Sequence, residues 1–294
     1  MAFKPNLLMI DPGHFAVSYV INPWMQPGAW NADPEGHLRA AEAASAALHA
    51  ALVGAGAEVL MAPGAPGLPD MVFPANGAVV LDRKAIVARF ACPERRGEEA
   101  LSVSLLRGFQ ARGLLDVVSQ YPDGVFQEGA GDCIWDDTRQ QFWAGYGQRS
   151  VRESLKVSED FFNVPLVPLE LVSPRFYHLD TCFLALSGGE ILYYPPAFSA
   201  AGRATIESLA GKDMVLEASD ADAAAFAVNA VNFGREIVMA RPPAALSARL
   251  EERGYRVTAV DLDPFILSGG GAYCMTLRLN RFSAAAAPRA AAAE

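Results

Sequence analysis

Five segments of the chain carry apolar residues at helical spacing, and each is followed by a short apolar run of strand length. The helices are read at 37–56 and in "GEEALSVSLLRGFQARG", "SVRESLKVSEDFF", "SAAGRATIESLAG" and "PPAALSARLEERG". The runs that follow them are "AEVLMA", "LDVVSQ", "VPLVPLEL", "DMVLEAS" and "YRVTAVDL". Further strands precede the helices: "NLLMI", the pair "MVFPANGAVVLD" and "AIVARF", the pair "GDCIWDD" and "QFWAGYG", and the hairpin "FYHLDTCFLALSGGEILYYP" with its Ser-Gly-Gly turn. "ADAAAFAVNAVNFGREIVMA" reads as a short helix and one strand, and a hairpin-like piece closes the chain. A unit of strands plus one helix therefore repeats about five times. An open Rossmann-like sheet is the competing arrangement, but no G-x-G-x-x-G follows the first strand and most units offer two or three short strands per helix. The pattern predicts radial repetition, an α/β propeller around a central pit.

Hydrophobic residues make up 52% of the 294, enough for a large core, and only 19% are charged, which excludes extensive disorder. The formal net charge of −9 argues against general nucleic-acid binding, which needs clustered cations, and suits a cationic small molecule. No apolar run reaches the roughly 20 residues that span a bilayer, so no membrane association is expected. No signal peptide is read at the N-terminus. Cys92, Cys133, Cys182 and Cys274 are widely spaced, with no zinc-like pattern, so neither metal nor cofactor is expected and a reducing cytoplasm is the expected setting. The fold is expected to occupy residues 1–282 as one domain, with the Ala-rich stretch 283–294 as a low-complexity tail.

Four polar positions stand out against apolar flanks: Asn76, Glu128, the pair His178 and Asp180, and Cys274. In a strand, residues i and i+2 share a face, so His178 and Asp180 are expected to project together, one moving protons and the other holding a cation. The plainer reading is a half-exposed strand with two unrelated polar residues. Glu128 precedes "GAGD", whose glycines permit close backbone approach; Asp132 reads better as a turn residue bonded to its own backbone. Cys274 follows "SGGG" at the mouth of a strand, where it is either an inert buried thiol or a nucleophile whose ionisation a nearby cation would favour. The other three cysteines are read as structural, and His14, His37 and His49 as less convincing than His178.

A cysteine, a histidine and an acid fit a papain-like protease or an amidase equally well. The stretches "YVINPWM", "PDMVFPANGA", "ERRGEE", "FQEGAGD", "WAGYGQRS", "RFYHLDTCF", "LYYPPAF", "NAVN" and "SGGGAYCMTLRL", in this order, resemble the guanidino-group-modifying enzymes of the pentein fold, above all the arginine dihydrolase domain known from cyanobacteria. The resemblance runs to about residue 282 and implies a pentein propeller of five ββαβ-type units around an active-site pit. It implies Cys274 as nucleophile, His178 as general acid and base, and Glu128 as the residue that orients the histidine or binds substrate nitrogen. It further implies that Asp180 holds the guanidinium, that Asn22 and Asn76 line the pocket, and that Arg95 and Arg149 grip the substrate carboxylate. The chain departs from the family pattern at Ala16, Ser18 and Tyr273.

The implied reaction is hydrolysis of arginine to ornithine, carbon dioxide and ammonia. Hydrolysis of methylated arginine, deimination to citrulline, amidino transfer and a non-catalytic binding module are the alternatives. Arginine or methylated arginine is the expected small-molecule partner, and a homo-oligomer is left open.

Overall fold

In a computed structural model of the chain, residues 4–287 are described. Fifteen strands form five separate three-stranded sheets, and every sheet is built the same way. Two strands pair antiparallel, a helix crosses over, and a third strand returns parallel to the second, as when Ala78–Leu81, Lys84–Val87 and Val117–Gln120 assemble around helix Gly97–Ala111. The other crossover helices are Pro34–Gly54, Glu153–Phe162, Ala200–Ala210 and Ala244–Glu251. This is the five-unit ββαβ propeller that the periodicity predicts.

One strand of each sheet lies nearest the axis: Ala78–Leu81, Cys133–Asp136, Phe183–Ala185, Val231–Phe233 and Leu277–Arg278. The first two are buried along their whole length, which is why they read as unbroken apolar runs and not as an alternation. Each crossover helix turns an apolar stripe onto its sheet. Ala41, Leu48 and Leu52 of Pro34–Gly54, for instance, pack into one core with Met9, Val238 and Val260. Side chains as fully covered as Trp143, Phe183 and Phe265 each contribute about 1.5–3 kcal/mol through burial.

Two expectations are corrected. The apolar segment around Phe226–Ala240 makes two strands, because Gly234 turns the chain back at positive φ. The closing piece is no local hairpin: Leu277–Arg278 pairs with Asn6–Ile10 from the other end of the chain, so the termini complete the fifth sheet between them. In the Ala-rich stretch from 283, Ser283 donates from its amide and its hydroxyl to Asp82, and the Ala284 amide donates to Gln140 Oε1. The remainder of that stretch, 288–294, lies outside the described residues.

Asn280 secures the closure. Its Oδ1 accepts from the Asn6 amide at 2.8 Å and its Nδ2 donates to the Lys4 carbonyl at 2.6 Å. Asn280→Ala is expected to lower stability by about 1–2 kcal/mol, the net worth of two such bonds, as read from the midpoint of urea unfolding.

Candidate active site

The chain enters every inner strand through a tight polar turn, and these five turns meet at one end of the propeller axis. Asn76 closes the 3-10 turn Pro74–Gly77 before the first inner strand, with prolines at the N-terminal positions of this turn and of Pro69–Val72. Glu128 caps the turn Gly129–Gly131 before the second. His178 caps Leu179–Thr181, which carries Asp180, before the third. Asn229 stands two residues before the fourth and Cys274 three before the fifth. His178 and Asp180 are thus not strand neighbours on a shared face; the strand begins only at Phe183, and the turn sends the two side chains to different partners.

Close packing of these turns explains the glycines around Glu128. Gly129 has φ +66°, and a Cβ there would lie 2.3 Å from the Ala75 carbonyl oxygen. A Cβ at Gly131 would lie 2.4 Å from Asn76 Nδ2. Asp132 is not the self-bonded turn residue expected. Its buried carboxylate accepts from Ser150 Oγ at 2.6 Å and from the Leu179 amide at 2.9 Å, so it ties the second turn to the third.

Two hydrogen-bonded groups make up the chemistry. In the first, Glu128 Oε2 faces His178 Nε2 at 2.7 Å and accepts from Arg149 Nη1 at 2.9 Å. Burial raises the Glu128 carboxyl, but Arg149 and His178 outweigh it and bring the group down to about 2. An ionised carboxylate only accepts, so the hydrogen of the imidazole sits on Nε2, as assigned from this network. Nδ1 is left as an acceptor toward Asn76 Nδ2 at 3.4 Å. The Asn76 amide is oriented from its other side by Arg95 Nη1, which donates to its Oδ1 at 2.8 Å.

In the second group, Cys274 Sγ donates to Asp180 Oδ2 at 3.1 Å, and Asn229 Nδ2 donates to Sγ at 3.1 Å. Asn229 Oδ1 also accepts from the amides of Tyr273 and Cys274, so one side chain holds both the loop that carries Cys274 and its sulfur. Burial and the Asp180 carboxylate push the Cys274 thiol well up, and burial pushes Asp180 up to about 7. The expected cation beside the sulfur is not there; an acid and an amide are, and they keep it a thiol. Asp180 Oδ1 is buried with no hydrogen-bond partner among the described residues.

A cavity of about 10 Å³ beside Cys274 is lined by Asn22, Asp70, Asn76, Arg95 and Arg149, among others. All the site residues read from the sequence are buried here or directly behind this wall. Asn22 spans the pocket rim, donating to the Ser268 carbonyl and accepting from the Trp24 amide. Arg95 forms a two-point pair with Glu98 at 2.9 and 2.8 Å, also donates to the Asp70 carbonyl, and so has four of its five N–H groups engaged. Arg149 has two engaged, to Glu128 and to the Ile21 carbonyl. Asp70 and Asn229 were not singled out by the sequence reading, although both lie in stretches that carry the resemblance. Asp70 accepts from Tyr19 and Ser268 hydroxyls and is raised by burial. Nothing but an acid between apolar neighbours marked it. Among the described residues no group of three or more His, Cys, Asp or Glu side chains is placed to hold a metal.

A sequence model of the family described as eukaryotic N,N dimethylarginine dimethylhydrolase matches residues 22–281. The chain belongs to that family. It is 39% identical over 280 residues, 95% of its length, to the bifunctional arginine dihydrolase/ornithine cyclodeaminase ArgZ of a Synechocystis species, but spans only 38% of that relative. It is 35% identical to the N(G),N(G)-dimethylarginine dimethylaminohydrolase of Mycobacterium tuberculosis, covering 92% of this chain and 85% of the relative. The crystal structure of the N-terminal domain of ArgZ bound to product superposes with a TM-score of 0.88 at 36% identity, covering 95% of this chain and 99% of that one. A cysteine-to-serine variant of the same ArgZ domain, bound to substrate, gives the same values.

Stability at acid pH tests the Glu128 assignment. Its carboxyl is held below its ordinary value of 4.5, so the stability it contributes is complete above 4.5 and is lost as pH falls toward 2. The difference in unfolding free energy between the protein and Glu128→Gln is therefore expected to shrink across that window. A difference that stays constant from pH 6 to pH 2 would show that the carboxylate is not held ionised.

Proposed function

We propose that this chain is a hydrolase of arginine that works through a covalent adduct on Cys274. The observation that carries the reading is the pairing of a buried thiol with Asp180, whose second oxygen lacks a partner, opposite an imidazole held by an ionised Glu128. A guanidinium is the ligand that such a wall asks for. Its N–H groups satisfy the free Asp180 oxygen, and its positive charge replaces the cation missing beside the sulfur. Substrate binding then lowers the thiol pKa at the moment a thiolate is needed.

The thiolate adds to the central guanidinium carbon, and its proton leaves through Asp180. That proton passes on to His178 Nδ1, which delivers it to the departing nitrogen; the C–N bond breaks, and ammonia leaves an S-alkylated thiouronium adduct. His178 then takes a proton from water, the resulting hydroxide adds to the same carbon, and the C–S bond breaks to return the thiol and release citrulline. Arg149, with N–H groups still free, suits the substrate carboxylate; Arg95, already committed to Glu98 and Asn76, acts more by orienting Asn76. The cavity has room for about one water, so the wall that includes Ile21 and Asn22 has to shift to admit arginine.

Asn76 supports two rounds of hydrolysis. It is neutral and both donates and accepts, so it tolerates a ureido group as well as a guanidinium. Citrulline retained in the pocket loses a second ammonia to a thiocarbamate on Cys274, and water releases a carbamate that breaks down to ornithine and carbon dioxide. A second reading, hydrolysis of dimethylarginine, is favoured by the Mycobacterium tuberculosis relative, of which the chain covers 85%. The four free cysteines fit a reducing compartment.

Purified protein incubated with arginine is expected to yield ornithine and two ammonia per arginine. Citrulline and dimethylamine formed only from dimethylarginine would establish the second reading instead. Cys274→Ser is expected to lose turnover by about 10⁴-fold or more with its thermal midpoint kept, and wild-type rates would exclude the covalent route. Asn76→Asp is expected to shift the product from ornithine toward citrulline, because an anion there favours only the charged substrate; chromatography of amino acids decides it, and an unchanged ratio removes the role given to Asn76.

A further inference from the structure

The cavity beside Cys274 is smaller than a second one among the described residues. A void of about 50 Å³ lies between the inner strands, and its lining runs from Ala130 and Tyr273 in their entry turns to Arg278 and Arg281. Four of those strands supply apolar wall, through Val80, Trp135, Ala185 and Phe233, and the fifth supplies Arg278, with Arg281 just beyond it. A void walled by apolar strand residues calls for no charge, yet this one has two guanidinium groups.

Neither is neutralised in the ordinary way. The Arg278 side chain makes no hydrogen bond or ion pair within the described residues, and its Nε is buried and unpartnered. Arg281 donates one bond, to the Trp135 carbonyl at 3.2 Å; its own Nε is buried and unpartnered, with the half-exposed Asp137 at a marginal 3.9 Å. Two cations face one weakly engaged acid. Both side chains are only partly buried, but each carries a buried Nε–H with no acceptor, and leaving such a donor unmade is costly.

We propose that the Arg278–Arg281 end of the axis binds a small oxyanion, a carboxylate or inorganic phosphate, gripped by the two guanidinium forks. The planar forks present paired N–H groups that match two oxygens of either ion, and the apolar strand ends exclude water and strengthen the contact. Burial first and the Arg281 charge second bring the Arg278 guanidinium down to about 10. Tyr273 lines this cavity, and the next residue, Cys274, lines the substrate cavity. The two cavities therefore meet the chain at adjacent residues.

The test is the thermal midpoint of the full chain titrated with phosphate, bicarbonate or succinate, against sodium chloride at matched ionic strength. At least one oxyanion is expected to raise the midpoint saturably where chloride does not. A response to phosphate alone or to the carboxylates alone identifies the source. Arg278→Met is expected to lose that response and, without oxyanion, to melt no lower than the parent protein, since a partly buried cation with an unpartnered donor has gone. If Arg278→Met does not fold, Arg278→Lys, which keeps the charge and loses the fork, and Arg281→Met carry the same comparison. A response shared with chloride, one retained in the variants, or none from any of the three oxyanions overturns the proposal.

Discussion

The site rests on a single carboxylate kept ionised where water cannot reach it. Glu128 is wholly buried, and burial alone would protonate it. Arg149 and His178 prevent this, and the consequences spread from that contact. The ionised group fixes which imidazole nitrogen carries hydrogen, the other nitrogen then faces Asn76, and Arg95 settles the orientation of Asn76. The turn that carries Glu128 comes so near to Asn76 that no residue larger than glycine fits at 129 or 131. Electrostatics and backbone packing here impose the same arrangement.

Around this anchor the pit holds more acid than it can ionise. Asp70, Glu98, Asp132 and Asp180 are all buried and all raised, Glu98 and Asp180 to about 7 and Asp132 to about 6. Arg95 and Arg149 are the arginines among them. A pit short of cations binds a cationic ligand without forming new acids, because desolvated carboxyls already wait for charge. The same burial and the Asp180 carboxylate hold the Cys274 thiol up. On the proposed function, a guanidinium entering the pit would reverse that field.

The propeller was legible in the sequence because its units obey simple periodicities: helical stripes on the outside, unbroken apolar runs on the inside. The candidate residues Cys274, His178, Glu128 and Asn76 were legible as polar residues in apolar surroundings, sharpened by resemblance. What periodicity missed were the turns. "FYHLDT" and "PDMVFPANG" carry enough apolar residues to pass for strands, yet Pro69, Pro74 and the Asp132–Leu179 bond bend them into 3-10 turns. Such turns are held by contacts from other sheets, which no local window contains. Asn229 escaped for the same reason: its hydrogen bonds go to residues 44 and 45 positions away.

The axis has two unlike ends, and this follows from how the fold is built. Every inner strand begins in a turn, and turns favour short polar residues that accept hydrogen bonds, so acids and amides gather where the strands start. The far ends of the strands have no such requirement, and three of the five finish in apolar residues, Leu81, Ala185 and Phe233. The second finishes in Asp136, which is paired with Arg139, and the strand made from the chain's end finishes in Arg278, pairs with the opposite terminus and runs on to Arg281. An acid-rich mouth and an arginine-bearing base, joined by the short stretch from Tyr273 to Arg278, place opposite charge preferences at the two ends of the segment that carries the sulfur.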